Sequence, residues 1–167
     1  MTDSQVGSKM INIIDTIGFM GPFILLLVGI LMLWSNKYFW CAYLVIFIIN
    51  ILINKLAKVI IKQPRPDDGI SVMNEEYTGI EMYGMPSAHA QSVFMSLTFL
   101  YLVKQSPAWL LGELFIASLT VYQRWKYNRH TLEQLGVGAL LGILVSYVGY
   151  YTVKTNLQKN TYVTQDE

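Results

Sequence analysis

The chain holds two histidines, His89 and His130, and each stands among residues able to handle phosphate. Lys58 precedes Arg65 by seven positions, and Arg65 lies between two prolines in Lys62-Gln63-Pro64-Arg65-Pro66. Pro86-Ser87-Ala88-His89 follows, a helix-opening pattern with Ser87 as N-cap. A helix start presents unpaired backbone N–H groups and the positive end of its dipole, which suits an anion. Five residues separate Arg124 from His130, and Gln134 stands four after His130. Helical spacing then puts His130 and Gln134 on one face. Cations, a helix start and two imidazoles suit phosphoryl transfer, which needs positioning and charge stabilisation on three equatorial oxygens. Each feature alone has a plainer reading. Basic residues at helix ends lift their charge to the membrane interface, and a helix-start histidine can simply face water.

The elements that must position these residues are apolar. The chain has 167 residues, 53% of them hydrophobic and 14% charged, against about 25% charged in an average soluble domain. The length allows one domain. A net charge of +1 argues against a broadly basic nucleic-acid binder. Cys41 stands alone and forms no internal disulfide. Five apolar stretches run over about 11–34, 39–61, 90–103, 107–122 and 132–153. A spanning helix needs roughly 20 mostly apolar residues. The first, second and fifth meet that, and the third and fourth are shorter. The first ends in Leu33-Trp34 with no small-residue cleavage site, so it reads as a retained span. The expectation is an all-α, polytopic transmembrane helix bundle of about five spans. It forms a single domain over 1–167, with a core at about 55–145 and a polar tail at 154–167.

Five spans decide which loops share a side. The hairpin of spans three and four places the 62–86 and 123–129 loops on the same membrane face, with the N-terminus, and the C-terminus opposite. Lys37, Lys104, Lys154 and Lys159 mark that opposite face as cytoplasmic, which puts the site in the lumen or outside. Lys55 and Glu113, inside apolar runs, are expected to pair with each other. Asn50 and Asn54 are expected to make interhelical hydrogen bonds, and Trp34, Trp40, Trp109 and Trp125 to anchor span ends. Asp67, Asp68, Glu75, Glu76 and Glu81 read as a solvated, negative loop rather than a magnesium site. Ile70, Met73, Tyr77, Ile80, Met82 and Tyr83 suit that loop to lie in the headgroup layer as a lid.

Taken in order, Lys58-x6-Arg65-Pro66, Pro86-Ser87-Ala88-His89 and Arg124-x5-His130-x3-Gln134 resemble the three-part signature of the phosphatidic acid phosphatase type 2 superfamily. Three positions depart from the usual pattern. Ala88 stands where glycine is usual, Gln123 where serine is, and Gln134 where aspartate is. Tyr83-Gly84-Met85-Pro86-Ser87 with His89-x-Gln91, and His130-Thr131-x-x-Gln134, are similar to the dolichyl diphosphate phosphatase branch. The resemblance implies a membrane phosphatase that releases the terminal phosphate of a polyprenyl diphosphate without a metal or other cofactor. It implies His130 as nucleophile, forming a phosphohistidine, and His89 as general acid. Lys58, Arg65, Arg124, Ser87 and the Ala88 backbone N–H would hold phosphoryl oxygens. Gln134 would orient His130, with Glu133 as the alternative support. The partner implied is a lipid in the endoplasmic reticulum or an equivalent membrane, where the product recycles a glycan carrier; oligomeric state is left open. Three other readings stay open: a phosphatase for phosphatidate-like or undecaprenyl diphosphate lipids, a catalytically silent lipid-binding protein, and a small channel or assembly protein whose charged loops are only topological.

Overall fold

The computed structural model describes residues 13–70 and 77–163, with side chains to 159. Met73, Glu75 and Glu76 of the first loop lie outside the described residues. Among the described residues there are five α-helices and no strand: α1 (Ile13–Leu33), α2 (Lys37–Ile61), α3 (Ala88–Lys104), α4 (Pro107–Lys126) and α5 (Leu132–Val163). One 3-10 turn, Gly79–Met82, interrupts the first loop. The expected all-helical bundle is the observed one.

α1, α2 and α5 are long and apolar enough to cross a membrane. They turn large side chains outward at helical spacing: Phe23, Leu27 and Leu31 on α1, Ile48, Leu52 and Leu56 on α2, Leu140, Leu144 and Val148 on α5. A water-soluble bundle would bury such stripes. α3 is the axis of the bundle. It is buried almost continuously from Ala90 to Leu100 and packs against all four other helices, most extensively against α5. That contact is close because α5 has no side chain where the backbones meet. A Cβ on Gly138 would lie 2.6 Å from the Ser87 carbonyl, and one on Gly142 would collide with the Gln91 carbonyl. Small residues at such spacing let membrane helices approach.

Polar side chains pin the bundle. Asn54 donates to Gln91 Oε1 at 2.8 Å, and Gln91 donates back to Asn50 Oδ1 at 2.9 Å. Asn50 and Asn54 thus hold α2 to α3, as expected. Lys55 and Glu113 do not pair. α2 buries a stripe at Tyr43, Ile46, Asn50, Asn54 and Lys58, and Lys55 falls beside it, on the exposed face. Glu113 faces inward on the α4 stripe that includes Ala117, Thr120 and Arg124, and neither of its oxygens has a hydrogen-bond partner.

Asp15 locks α1 to the end of α4. Its carboxylate is buried and accepts from Lys126 Nζ at 2.7 and 2.8 Å and from the Tyr127 hydroxyl at 2.9 Å. Replacing Asp15 by alanine removes the acceptor that a buried hydroxyl and an ammonium share. We expect Asp15→Ala to cost about 2 kcal/mol, a fall in Tm of about 6 °C in detergent-solubilised protein.

Candidate active site

Two loops and five helix ends meet at one end of the bundle. Pro64 and Pro66 cannot continue a helix, and α2 stops at Ile61 with Lys62 in the left-handed conformation, φ 53°. The chain then runs beside the segment that opens α3. Pro64 pairs with Tyr83 in an isolated bridge, and the Gly84 N–H donates to the Gln63 carbonyl at 2.8 Å. Ser87 caps α3, its Oγ accepting from the Ala90 N–H at 3.4 Å, while its own N–H donates to the Gln134 carbonyl at 3.0 Å. α4 continues past its expected end to Lys126, so Arg124 sits in its last turn. Ile70 N–H donates to the Tyr127 carbonyl, and Asn128 bonds Asp68. The two loops that the hairpin topology placed on one face are therefore in direct contact.

His130 lies in the second loop and is 1% exposed. Its Nε2 is 2.8 Å from Arg65 Nη1, and its Nδ1 is 3.1 Å from Gln134 Oε1. A guanidinium only donates. Nε2 therefore presents its lone pair to Arg65, and the ring proton sits on Nδ1, donated to Gln134. The Gln134 amide is oriented by the same logic. Its Nε2 donates to the Pro64 carbonyl at 2.8 Å and to Gln63 Oε1 at 3.0 Å. A carbonyl only accepts, so the NH2 must face Pro64 and the oxygen must face His130. A side chain at Gly84 would collide with this amide. Glu133 is exposed. Burial, then the charges of Arg65 and Arg124, hold the His130 imidazole well below its usual range. His130 is therefore neutral near pH 7, with the Nε2 lone pair unprotonated and hydrogen-bonded to Arg65.

His89 occupies the first turn of α3 and is half-buried. Its ring packs 5.5 Å from the Phe19 ring and hydrogen-bonds the Phe19 backbone. It lies in the field of Arg124, Arg65 and Lys58 and interacts electrostatically with His130. Beside it opens an apolar cleft of about 190 Å³ between α1, α2 and α3, lined by Phe23, Phe47 and Ile51 among others. Lys58 and Arg124 have no exposed surface. Arg65 also donates to the Arg129 carbonyl at 3.1 Å.

The structure thus gathers Lys58, Arg65, Ser87, Ala88, His89, Arg124, His130 and Gln134 at one end of the bundle. It adds residues to which the sequence reading gave no contact with the cations or with Gln134. Phe19 reaches the site from α1, Gln63 supports Gln134, and Tyr77 lies between Arg65 and Arg129. Gln63 had a signal, since it stands inside the Lys-Gln-Pro-Arg-Pro run, and Tyr77 belongs to the expected lid; Phe19 had none. Glu81 departs from its expected place. The sequence places it in a solvated loop, but the 3-10 turn folds its carboxylate back onto Lys58 at 2.5 Å.

A helical membrane bundle with a histidine–cation site at one end defines a class, and the family follows. Residues 39–158 match the model of the PAP2 superfamily, and the chain belongs to that family. It is 34% identical over 119 residues to the dolichyldiphosphatase of Saccharomyces cerevisiae, an alignment covering 64% of this chain and 48% of that protein. The chain thus spans about half the length of the curated relative it matches. The fold is similar to the crystal structure of a transmembrane PAP2-type phosphatidylglycerolphosphate phosphatase from Bacillus subtilis. That match has a TM-score of 0.62 at 21% identity and covers 87% of this chain and 75% of the other.

Proposed function

We propose that this protein is an integral-membrane phosphatase that hydrolyses a polyprenyl diphosphate of the dolichyl type to the monophosphate and inorganic phosphate. One observation carries the chemistry: His130 Nε2 holds its lone pair 2.8 Å from a guanidinium, with its other nitrogen tied to Gln134. The 34% identity to a dolichyldiphosphatase supports the substrate class. Nε2 attacks the terminal phosphorus, and the bond to the bridging oxygen breaks. With the substrate's phosphate charges offsetting the nearby cations, His89 carries the proton that the departing lipid monophosphate takes. Water then attacks the phosphohistidine, giving a proton to His89, and inorganic phosphate leaves with the imidazole restored. Splitting one displacement into two lowers each barrier. Lys58, Arg65 and Arg124 hold the phosphoryl oxygens, and the start of α3 at Ser87 and Ala88 adds its dipole. Gln134 orients the nucleophile without bringing charge. The apolar cleft beside His89 fits a leaving group that remains in lipid. Lys37, Lys104, Lys154 and Lys159 gather at the other end of the helices, which favours a site on the lumenal or outer face.

The test is phosphate release by purified protein from dolichyl diphosphate, undecaprenyl diphosphate, phosphatidate and phosphatidylglycerol phosphate, without added metal. Fastest turnover is expected on a polyprenyl diphosphate. Release from none of the four would sink the proposal. The role of Gln134 has its own test. Gln134→Ala is expected to lower kcat by about 10²-fold, because the imidazole loses its tautomer and orientation. Glu133→Gln should stay within about twofold of wild type, as exposed changes usually do. A reversed pattern would transfer the supporting role to Glu133.

A further inference from the structure

Glu81 stands where the cations point. Its Oε2 is 2.5 Å from Lys58 Nζ and 3.9 Å from Arg65 Nη2, and its carbonyl accepts from Arg65 Nε at 2.9 Å. Lys58 has no exposed side-chain surface, whereas the Glu81 side chain is 44% exposed. The carboxylate therefore reaches the buried ammonium from the solvent side, the side from which a phosphoryl oxygen must arrive. Tyr77, four residues earlier, covers the remaining cations. Its ring centre is 3.8 Å from the Arg65 guanidinium and 4.3 Å from that of Arg129. Its hydroxyl accepts from Arg124 Nη2 at 2.7 Å and Arg129 Nε at 3.3 Å. A carboxylate oxygen and a phenol oxygen thus engage the donors that would hold an incoming tetrahedral anion.

We propose that Glu81, flanked by Tyr77, is an internal anion that fills the phosphoryl seat between turnovers and must swing out before phosphate enters. The proposal rests on the reading of this site as a phosphoryl site. Carboxylate and phosphate oxygens compete for the same charge-assisted hydrogen bonds, and two anions packed at one ammonium repel. Glu81 sits on a short, half-exposed 3-10 turn, an element that moves at low cost. Its displacement weakens bound substrate, transition state and product phosphate alike, so it acts as a uniform binding penalty. The benefit falls on product release: several clustered cations without a competing anion would retain inorganic phosphate.

The test titrates inorganic phosphate into the purified full chain by calorimetry, for wild type, Glu81→Gln and Glu81→Ala, and measures turnover of dolichyl diphosphate in parallel. Phosphate is expected to bind about fivefold tighter to both variants, with KM falling and kcat/KM rising by the same factor. Weaker phosphate binding with a raised KM overturns the proposal, because Glu81 would then be positioning Lys58 for substrate. Equal phosphate affinity in all three proteins also overturns it. If none of the three binds phosphate, the phosphoryl-site reading itself fails, an outcome distinct from equal binding.

Discussion

His130→Ala is expected to reduce phosphate release from every lipid substrate by at least about 10³-fold. No neighbour can replace the lost lone pair. Arg65 only donates, Gln134 presents a weakly nucleophilic amide oxygen, and His89 lies at the start of α3 against Phe19. The fold survives the change, because the two side chains bonded to the imidazole keep other partners. Arg65 keeps the Arg129 carbonyl, and Gln134 keeps Pro64 and Gln63. Matched melting curves for wild type and variant check that the loss is chemical. A substrate radiolabelled in its terminal phosphate gives the complementary readout. Quenched wild-type protein should retain label on His130, and the variant should retain none. Label found on another residue, or turnover near wild type without His130, would falsify the covalent route.

Arg65→Ala is expected to lower kcat/KM by about 10³-fold, and Arg65→Lys by about 10²-fold. The guanidinium addresses the Glu81 carbonyl, the Arg129 carbonyl and His130 Nε2 through a planar fork. An ammonium restores the charge but not those three directions. The pH profile distinguishes this role from simple phosphate binding. The Arg65 charge disfavours protonated His130, after burial itself, and so holds its imidazole below the usual value of 6.5. Removing that charge lets the His130 pKa rise. The acid limb of the kcat/KM profile, where His130 protonates and activity is lost, should therefore move to higher pH in Arg65→Ala and stay near its wild-type position in Arg65→Lys. An acid limb unmoved in Arg65→Ala would show that Arg65 does not tune the nucleophile.

Much of the fold is legible in the apolar runs, because a membrane leaves few choices. Backbone groups in lipid must be satisfied within a helix, so five apolar stretches become five helices. Where those helices end is less legible. α4 continues through Gln123, Arg124 and Lys126, and α5 runs ten residues beyond Val153. Hydropathy marks the edge of the membrane, whereas a helix stops only where its backbone is capped or broken. Lys62 in its left-handed turn before two prolines is such a stop; the polar residues after Tyr122 and Val153 are not.

The candidate site divides in the same way. Spacing alone places His130, Gln134, Arg124, His89, Lys58 and Arg65 at one end of the bundle, because helix length and hairpin topology decide which ends meet. Spacing also points to Asn50 and Asn54 as interhelical bonds, since two asparagines four apart on one apolar helix share a face. The failures need the angular position of one helix against another. Lys55 and Glu113 lie at compatible depths but on faces that do not meet. Glu133 and Gln134 are both within reach of His130 along the helix; the Pro64 carbonyl, contributed by a distant loop, turns the Gln134 amide towards the imidazole.

By itself, then, the sequence determined an all-helical membrane protein in which two histidines collect with Lys58, Arg65 and Arg124 at one membrane face. Composition and periodicity suffice for that, since they act within each helix. Only the tertiary structure decided that Phe19 backs His89, that Gln63 and Pro64 hold Gln134, and that Tyr77 and Glu81 cover the cations. Those contacts depend on helix azimuth and on the path of the 62–86 loop, which many distant residues set together and no local spacing encodes.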